Sequence, residues 1–170
     1  MEIAEHTAEQ ILPSDVVPGA AAEIADVITL AALAHRGQLD KGGKPYFFHV
    51  LRVGSSLLPH IPSAVLGYLH DAREDGPDDL QNCVTAAARK HGVLVELALL
   101  TRRKGEPYGL YIWRIAQASP VAARVKLADL DDNLRPERLA AAADRGADVA
   151  RLIRKYTAAR QTLTARAPVY

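Results

Sequence analysis

The sequence predicts an all-α fold: one domain of packed helices. Three observations predict it. Apolar residues make up 49% of the 170 positions and aromatics only 5%, a balance rich in Ala and Leu that suits helix packing and not a β-sandwich. Apolar side chains recur at spacings of three and four, with no period-two run longer than a few residues. Proline and glycine divide the chain into helix-sized pieces.

Residues 1–19 read as a leader, with Pro13, Pro18 and little periodicity. Ile24, Val27, Ile28 and Ala31 then mark a helix over Ala20–His35. Gly37 and Gly42-Gly43 mark a loop, and Pro45 is placed to open a helix at its first position, carrying Tyr46, His49, Val50 and Val53 to near Pro59. Pro62 opens a helix that should run without interruption to Asp75, where Gly76-Pro77 stops it. Asp78 or Asp79 is the expected cap of Leu80–His91, with Gly92 as its stop. Further helices are expected over Val93–Thr101, Pro107–Gln117, Pro120–Leu134, Pro136–Arg145 and about Gly146–Thr164. The domain therefore spans 20–165, followed by a tail over 166–170.

Composition excludes several classes of function. The formal net charge is +1, so no overall field draws the chain to nucleic acid or to an acidic membrane. The single cysteine, Cys83, excludes an internal disulfide framework and a cysteine zinc site. A reducing cytoplasm is the expected setting, and no apolar run approaches a membrane span. Charge is polarised along the chain: residues 1–35 hold acids but no Lys or Arg, and from Arg151 onward there are bases but no acids. That pattern reads as helix-dipole matching with contact between the two ends, or as a basic tail for a polyanion.

The segment Leu69-His70-Asp71-Ala72-Arg73-Glu74-Asp75 stands out. On one continuous helix, His70, Asp71, Glu74 and Asp75 would share a side. Three acids would then face the negative end of the helix dipole and repel one another, an arrangement that a divalent cation reverses. The alternative is a solvated acidic surface beside a hydrogen-bonded His70. Val121, Val125, Asp129 and Asn133 recur every four residues, which places Asp129 on a core-facing stripe, as a metal ligand or paired to Lys126 or an arginine. His49 lies between Tyr46-Phe47-Phe48 and Val50-Leu51. It is either a hydrogen-bonded core residue or a ligand with an acceptor on its other ring nitrogen; His35 is the competing imidazole. Two imidazoles and two carboxylates suit Mn²⁺, Fe²⁺ or Zn²⁺ better than Ca²⁺.

These residues resemble a known family. Ala34-His35-Arg36-Gly37-Gln38 through Lys44-Pro45-Tyr46-Phe47-Phe48-His49 is similar to the opening signature of the alarmone hydrolases of the stringent response, the RelA/SpoT-type HD domains. His70-Asp71-Ala72-Arg73-Glu74-Asp75 resembles their H-D-x-x-E-D, and Lys126-Leu127-Ala128-Asp129 through Asn133-Leu134-Arg135 their K-L-A-D-x-x-x-N-x-R. The resemblance covers about residues 20–160 and points to the small single-domain members. It implies a helical HD bundle around one Mn²⁺, with His49, His70, Asp71 and Asp129 as ligands. It makes Glu74 and Asp75 the pair that orients and activates water, and brings Lys41 and Asn133 to the nucleotide. The implied reaction removes pyrophosphate from the 3′ position of (p)ppGpp. Lys41, Arg52 and Arg114 are candidates to balance phosphate charge.

The chain departs from the family pattern at Asp40, Lys44, Val50, Arg73, Gly76, Asp131 and Asp132, without loss of an expected ligand. Two other readings follow: an HD nucleotidase or phosphoesterase acting on nucleoside monophosphates or other phosphoesters, or a non-catalytic binding module whose metal is structural. The partner expected is a small nucleotide; a homo-oligomer is compatible with the sequence. The basic segment Thr101–Tyr108 reads as a solvated connection in preference to a polyphosphate cover. Tyr108, Tyr111 and Trp113 offer a base-stacking residue or ordinary core packing.

Overall fold

The computed structural model describes residues 18–165. Among them there is no strand, only an isolated antiparallel bridge between Leu39 and Pro45. The helices are α1 (Pro18–Ala34), α2 (Phe47–Ser56), α3 (Ile61–Leu69), α4 (Ala72–Asp75), α5 (Gln81–Lys90), α6 (Leu94–Leu100), α7 (Tyr108–Ala118), α8 (Pro120–Asn133), α9 (Pro136–Asp144) and α10 (Val149–Thr164). The leader expected over 1–19 falls outside the described residues except at the start of α1, and the tail over 166–170 falls wholly outside them.

α3 is the centre of the bundle. His60 caps it, its Nδ1 accepting from Ser63 N at 3.2 Å, and every residue from Ser63 to Leu69 is buried. A helix apolar all round has no solvent face, so α1, α2 and α8 pack on different sides of it. Leu66 and Leu69 are fully buried, each stabilising the fold by roughly 2 kcal/mol.

α2 and α3 cross at glycine. A Cβ on Gly54 would run into the Tyr68 ring, and one on Gly67 would lie 2.9 Å from Gly54 Cα. The two backbones therefore meet where neither has a side chain. α8 enters the same core, capped by Ser119, whose Oγ accepts from Ala122 N at 3.3 Å.

Four expectations are corrected. The helix from Pro62 does not run to Asp75: α3 stops at Leu69, and α4 starts at Ala72. Asp71 O accepts from Glu74 N and Asp75 N at 3.1 and 2.9 Å, so His70-Asp71 forms a corner and Glu74 and Asp75 begin a new turn. This relieves the dipole conflict of one long helix. Pro45 lies outside α2, in the bridge with Leu39. Asp78 and Asp79 form a 3-10 turn and make no side-chain cap to α5. Among the described residues the charge-biased ends do not pair: Glu23 on α1 pairs with Lys90 on α5 at 3.3 Å, while α10 packs on α7, α8 and α9.

Candidate metal centre

The corner and two helices bring the predicted ligands together. α2 supplies His49, the end of α3 supplies His70 and Asp71, and α8 supplies Asp129. Donor atoms of His49, His70 and Asp71 lie within 4.8 Å of one another. Asp71 Oδ2 is 2.9 Å from His70 Nε2 and 3.9 Å from His49 Nε2. Asp129 stands beside this triad, its Oδ1 3.1 Å from His49 Nε2 and 3.7 Å from His70 Nε2.

The far side of each imidazole is fixed. His70 Nδ1 donates to Gly67 O at 2.8 Å and His49 Nδ1 to Asp132 Oδ2 at 2.7 Å. Both Nε2 atoms are buried without a hydrogen-bond partner among the described residues; the carboxylates are in ion-pair range but out of hydrogen-bond line. Two buried ring nitrogens turned toward two carboxylates fit a cation, because an orphaned buried polar atom is otherwise costly.

Electrostatics supports the same assignment. Burial lowers the His70 pKa, but Asp71 and Asp129 beside it carry it up to about 10. Burial raises both Asp71 and Asp129, and the opposing charges win: His70 holds Asp71 well below the usual carboxylate range, and Lys126 with the two imidazoles does the same for Asp129. The pocket thus keeps its carboxylates ionised and attracts a proton or a metal ion.

Asp129 makes the expected ion pair with Lys126 and also faces the two imidazoles. Its Oδ2 pairs with Lys126 at 2.7 Å while Oδ1 faces the imidazoles and accepts from Asn133 Nδ2 at 2.6 Å. Tyr46 Oη donates to Asp71 Oδ2 at 2.6 Å. Burial, then the Asp71 charge, push the Tyr46 hydroxyl far above its ordinary range, so it is a fixed donor.

A cavity of about 210 Å³ opens on the centre. Glu74 and Asp75 line it, as do Lys41 and Asn133. So do Arg102, Lys126, Arg138 and Lys155, which the site prediction omits. Arg102 N donates to Glu74 Oε2 at 3.1 Å. The basic segment after Thr101 is exposed, as expected of a solvated connection, and is also attached to the site. Lys155 Nζ lies 4.0 Å from the Tyr108 ring centroid, so the basic end of the chain also reaches the cavity. Tyr108 and Tyr111 both line it, with Tyr111 donating to Leu100 O, while Trp113 is exposed.

Two expected phosphate partners are placed elsewhere. Arg114 donates to Glu106 Oε1 and Oε2 at 2.8 and 2.9 Å and to Leu99 O at 3.1 Å. Arg52 donates to Asp132 at 2.6 and 3.0 Å. Neither lines the cavity. His35, the competing imidazole, is buried with Nδ1 on Gln38 Oε1 at 2.7 Å, outside the triad.

Asp132 is the functional residue that the sequence reading passed over. It accepts from His49, Arg52 and Arg138. Its position three residues after Asp129 was the available signal. Asp40 has a structural role: Oδ1 accepts from Gly42 N and Lys44 N, both at 2.9 Å, and Oδ2 lies 3.6 Å from Arg138 Nη2.

No protein-family model and no curated protein matches the chain. A solved structure does: a protein described as a metazoan ortholog of SpoT that hydrolyzes ppGpp and plays a role in starvation responses. It aligns with 85% of this chain and 93% of its own, at a TM-score of 0.59 and 24% identity. This chain has an HD-domain-like fold. The HD-like bundle forms its His/His/Asp triad from His49 on α2 and from His70 and Asp71 at the α3–α4 corner. Among the described residues no helix is long and apolar enough to cross a membrane.

Proposed function

We propose that this chain is a metal-dependent phosphohydrolase that removes the 3′-pyrophosphate of (p)ppGpp or a closely related nucleotide. One observation carries the reading: two buried, unpartnered imidazole Nε2 atoms face Asp71 and Asp129 at the floor of a cavity that holds two further carboxylates and several cations. His49, His70, Asp71 and Asp129 would hold a divalent ion, with Mn²⁺ the first candidate and Fe²⁺ or Zn²⁺ the alternatives. Such an ion, when bound, polarises a phosphoryl oxygen and acidifies water.

The chain's own residues supply the rest. Glu74 and Asp75 provide carboxylates to orient water and accept its proton. Arg102 holds Glu74 through its backbone N–H, and Gln38 Nε2 reaches Asp75 Oδ2 at 3.4 Å. Lys41, Lys155 and the Arg102 side chain give a cationic wall for phosphates. Asn133 stands beside Asp129 at the cavity edge as a nucleotide contact. A purely structural metal site has no need of Glu74 and Asp75 beside the ligands. The ppGpp activity described for the structurally similar SpoT ortholog supports this choice of substrate.

The test offers Mn²⁺-loaded protein ppGpp, pppGpp, nucleoside monophosphates and a simple phosphodiester, with products separated by charge. Pyrophosphate release from ppGpp is expected. Asp75→Asn should retain Mn²⁺ and lose about 10²–10⁴-fold in kcat. Phosphate release from monophosphates alone would transfer the site to the nucleotidases, and turnover of none of these would refute hydrolysis.

A further inference from the structure

α8 presents a second face to a groove. Arg124, Leu127, Ala128 and Asp131 fall at helical spacing along this face, away from the stripe that carries Asp129 and Asn133, and Arg135 follows just beyond the helix end. With the second half of α2 and Leu163 of α10, this face encloses a groove of about 710 Å³. No residue lines both this groove and the metal cavity.

Its walls are apolar: Val53, Leu57, Ala123, Leu127 and Leu163. Its rim is cationic. Asp131 is already held by Arg160 at 2.7 Å, and Asp132 by Arg52 and Arg138. Arg124 is exposed at the rim and has no ion-pair partner among the described residues. Arg52 engages Asp132 through Nε and Nη2, so its Nη1 remains free to donate. Arg135 has only a surface pairing with Glu137 at 3.5 Å.

We propose that this groove is a separate binding site for a small organic anion with an apolar body, such as an aromatic or aliphatic sulfonate, carboxylate or phosphate. The volume falls within the range of small-molecule sites, roughly 300–1,000 Å³. The apolar walls hold the body, and Arg124 with Arg52 holds the charged head. A second copy of the chain fits less well: a two-fold contact brings the patch onto its own copy, a cationic rim whose acids, Asp131 and Asp132, are already paired.

The test titrates the full chain with 8-anilinonaphthalene-1-sulfonate, followed by fluorescence. One saturable site is expected. Arg124→Glu, on the exposed rim, should weaken binding about tenfold. Ser56→Trp fills the groove from an exposed position and should weaken it at least as much, with circular dichroism confirming the fold. The uncharged analogue N-phenyl-1-naphthylamine should bind about tenfold more weakly. Mn²⁺ and Asp71→Ala should leave binding unchanged. Sulfonate binding indifferent to Arg124→Glu, equal binding of the uncharged analogue, or competition by Mn²⁺ would each overturn the proposal. So would a dimer, seen by sedimentation, that Ser56→Trp dissociates. If Ser56→Trp does not fold, Arg124→Glu and the uncharged analogue decide the question.

Discussion

Two charged clusters in this molecule look alike in sequence and differ in what they leave undone. Around Glu106 and Arg114 the charges satisfy each other: Arg114 covers both carboxylate oxygens and two backbone carbonyls, and Glu106 also accepts from Arg103 N. Around His49, His70 and Asp71 the outer nitrogens are tied down while the inner ones have no hydrogen-bond partner. The first cluster is a brace for the loop before α7. The second is held open at considerable electrostatic expense, and that asymmetry distinguishes a site from a strut.

Breaking the open cluster should have the largest effect. Asp71→Ala removes the carboxylate between both imidazoles; metal content should fall to background and activity by at least about 10³-fold, read by elemental analysis and product release. Asp132→Ala comes next. It removes the acceptor for His49 and leaves Arg52 and Arg138 without their shared partner. Metal affinity should fall about 10–100-fold and stability by on the order of 3 kcal/mol, measured by metal titration and chemical denaturation.

Breaking the closed cluster should affect stability and leave metal binding intact. Glu106→Gln should cost about 1 kcal/mol at neutral pH. Its sign with pH is fixed: Arg114 holds the Glu106 carboxyl down at about 2, below its ordinary 4.5. The stabilisation is present above about 4.5 and lost as pH falls toward 2. The melting difference between wild type and Glu106→Gln should therefore shrink over that interval. The smallest effect belongs to Trp113→Gln on the exposed face of α7, within about 0.5 kcal/mol by thermal melting.

Much of this was legible in the sequence because local rules decide it. Proline, glycine and apolar spacing mark most helices to within a few residues. Asp129 could be read from its stripe because a helix repeats predictably. The corner at His70-Asp71 could not, since the apolar pattern of α3 continues into it without a breaker. The partners of Asp132 and Arg114 could not be read for a different reason. Asp132 is 83 residues from His49, and nothing local says which carboxylate an arginine will choose. Sequence separates charges into plausible and implausible sites; only packing assigns partners.

The glycine crossing of α2 and α3 has a consequence for the ion itself. Gly54 lies five positions beyond His49, and Gly67 three before His70. The two rings are thus the jaws of a calliper whose pivot is bare backbone, set by the absence of two methyl groups. A methyl group at either glycine would touch neither ring, yet it would widen the gap between the jaws. The room left for any ion between the two imidazoles is in this sense gauged at the pivot, away from the rings themselves.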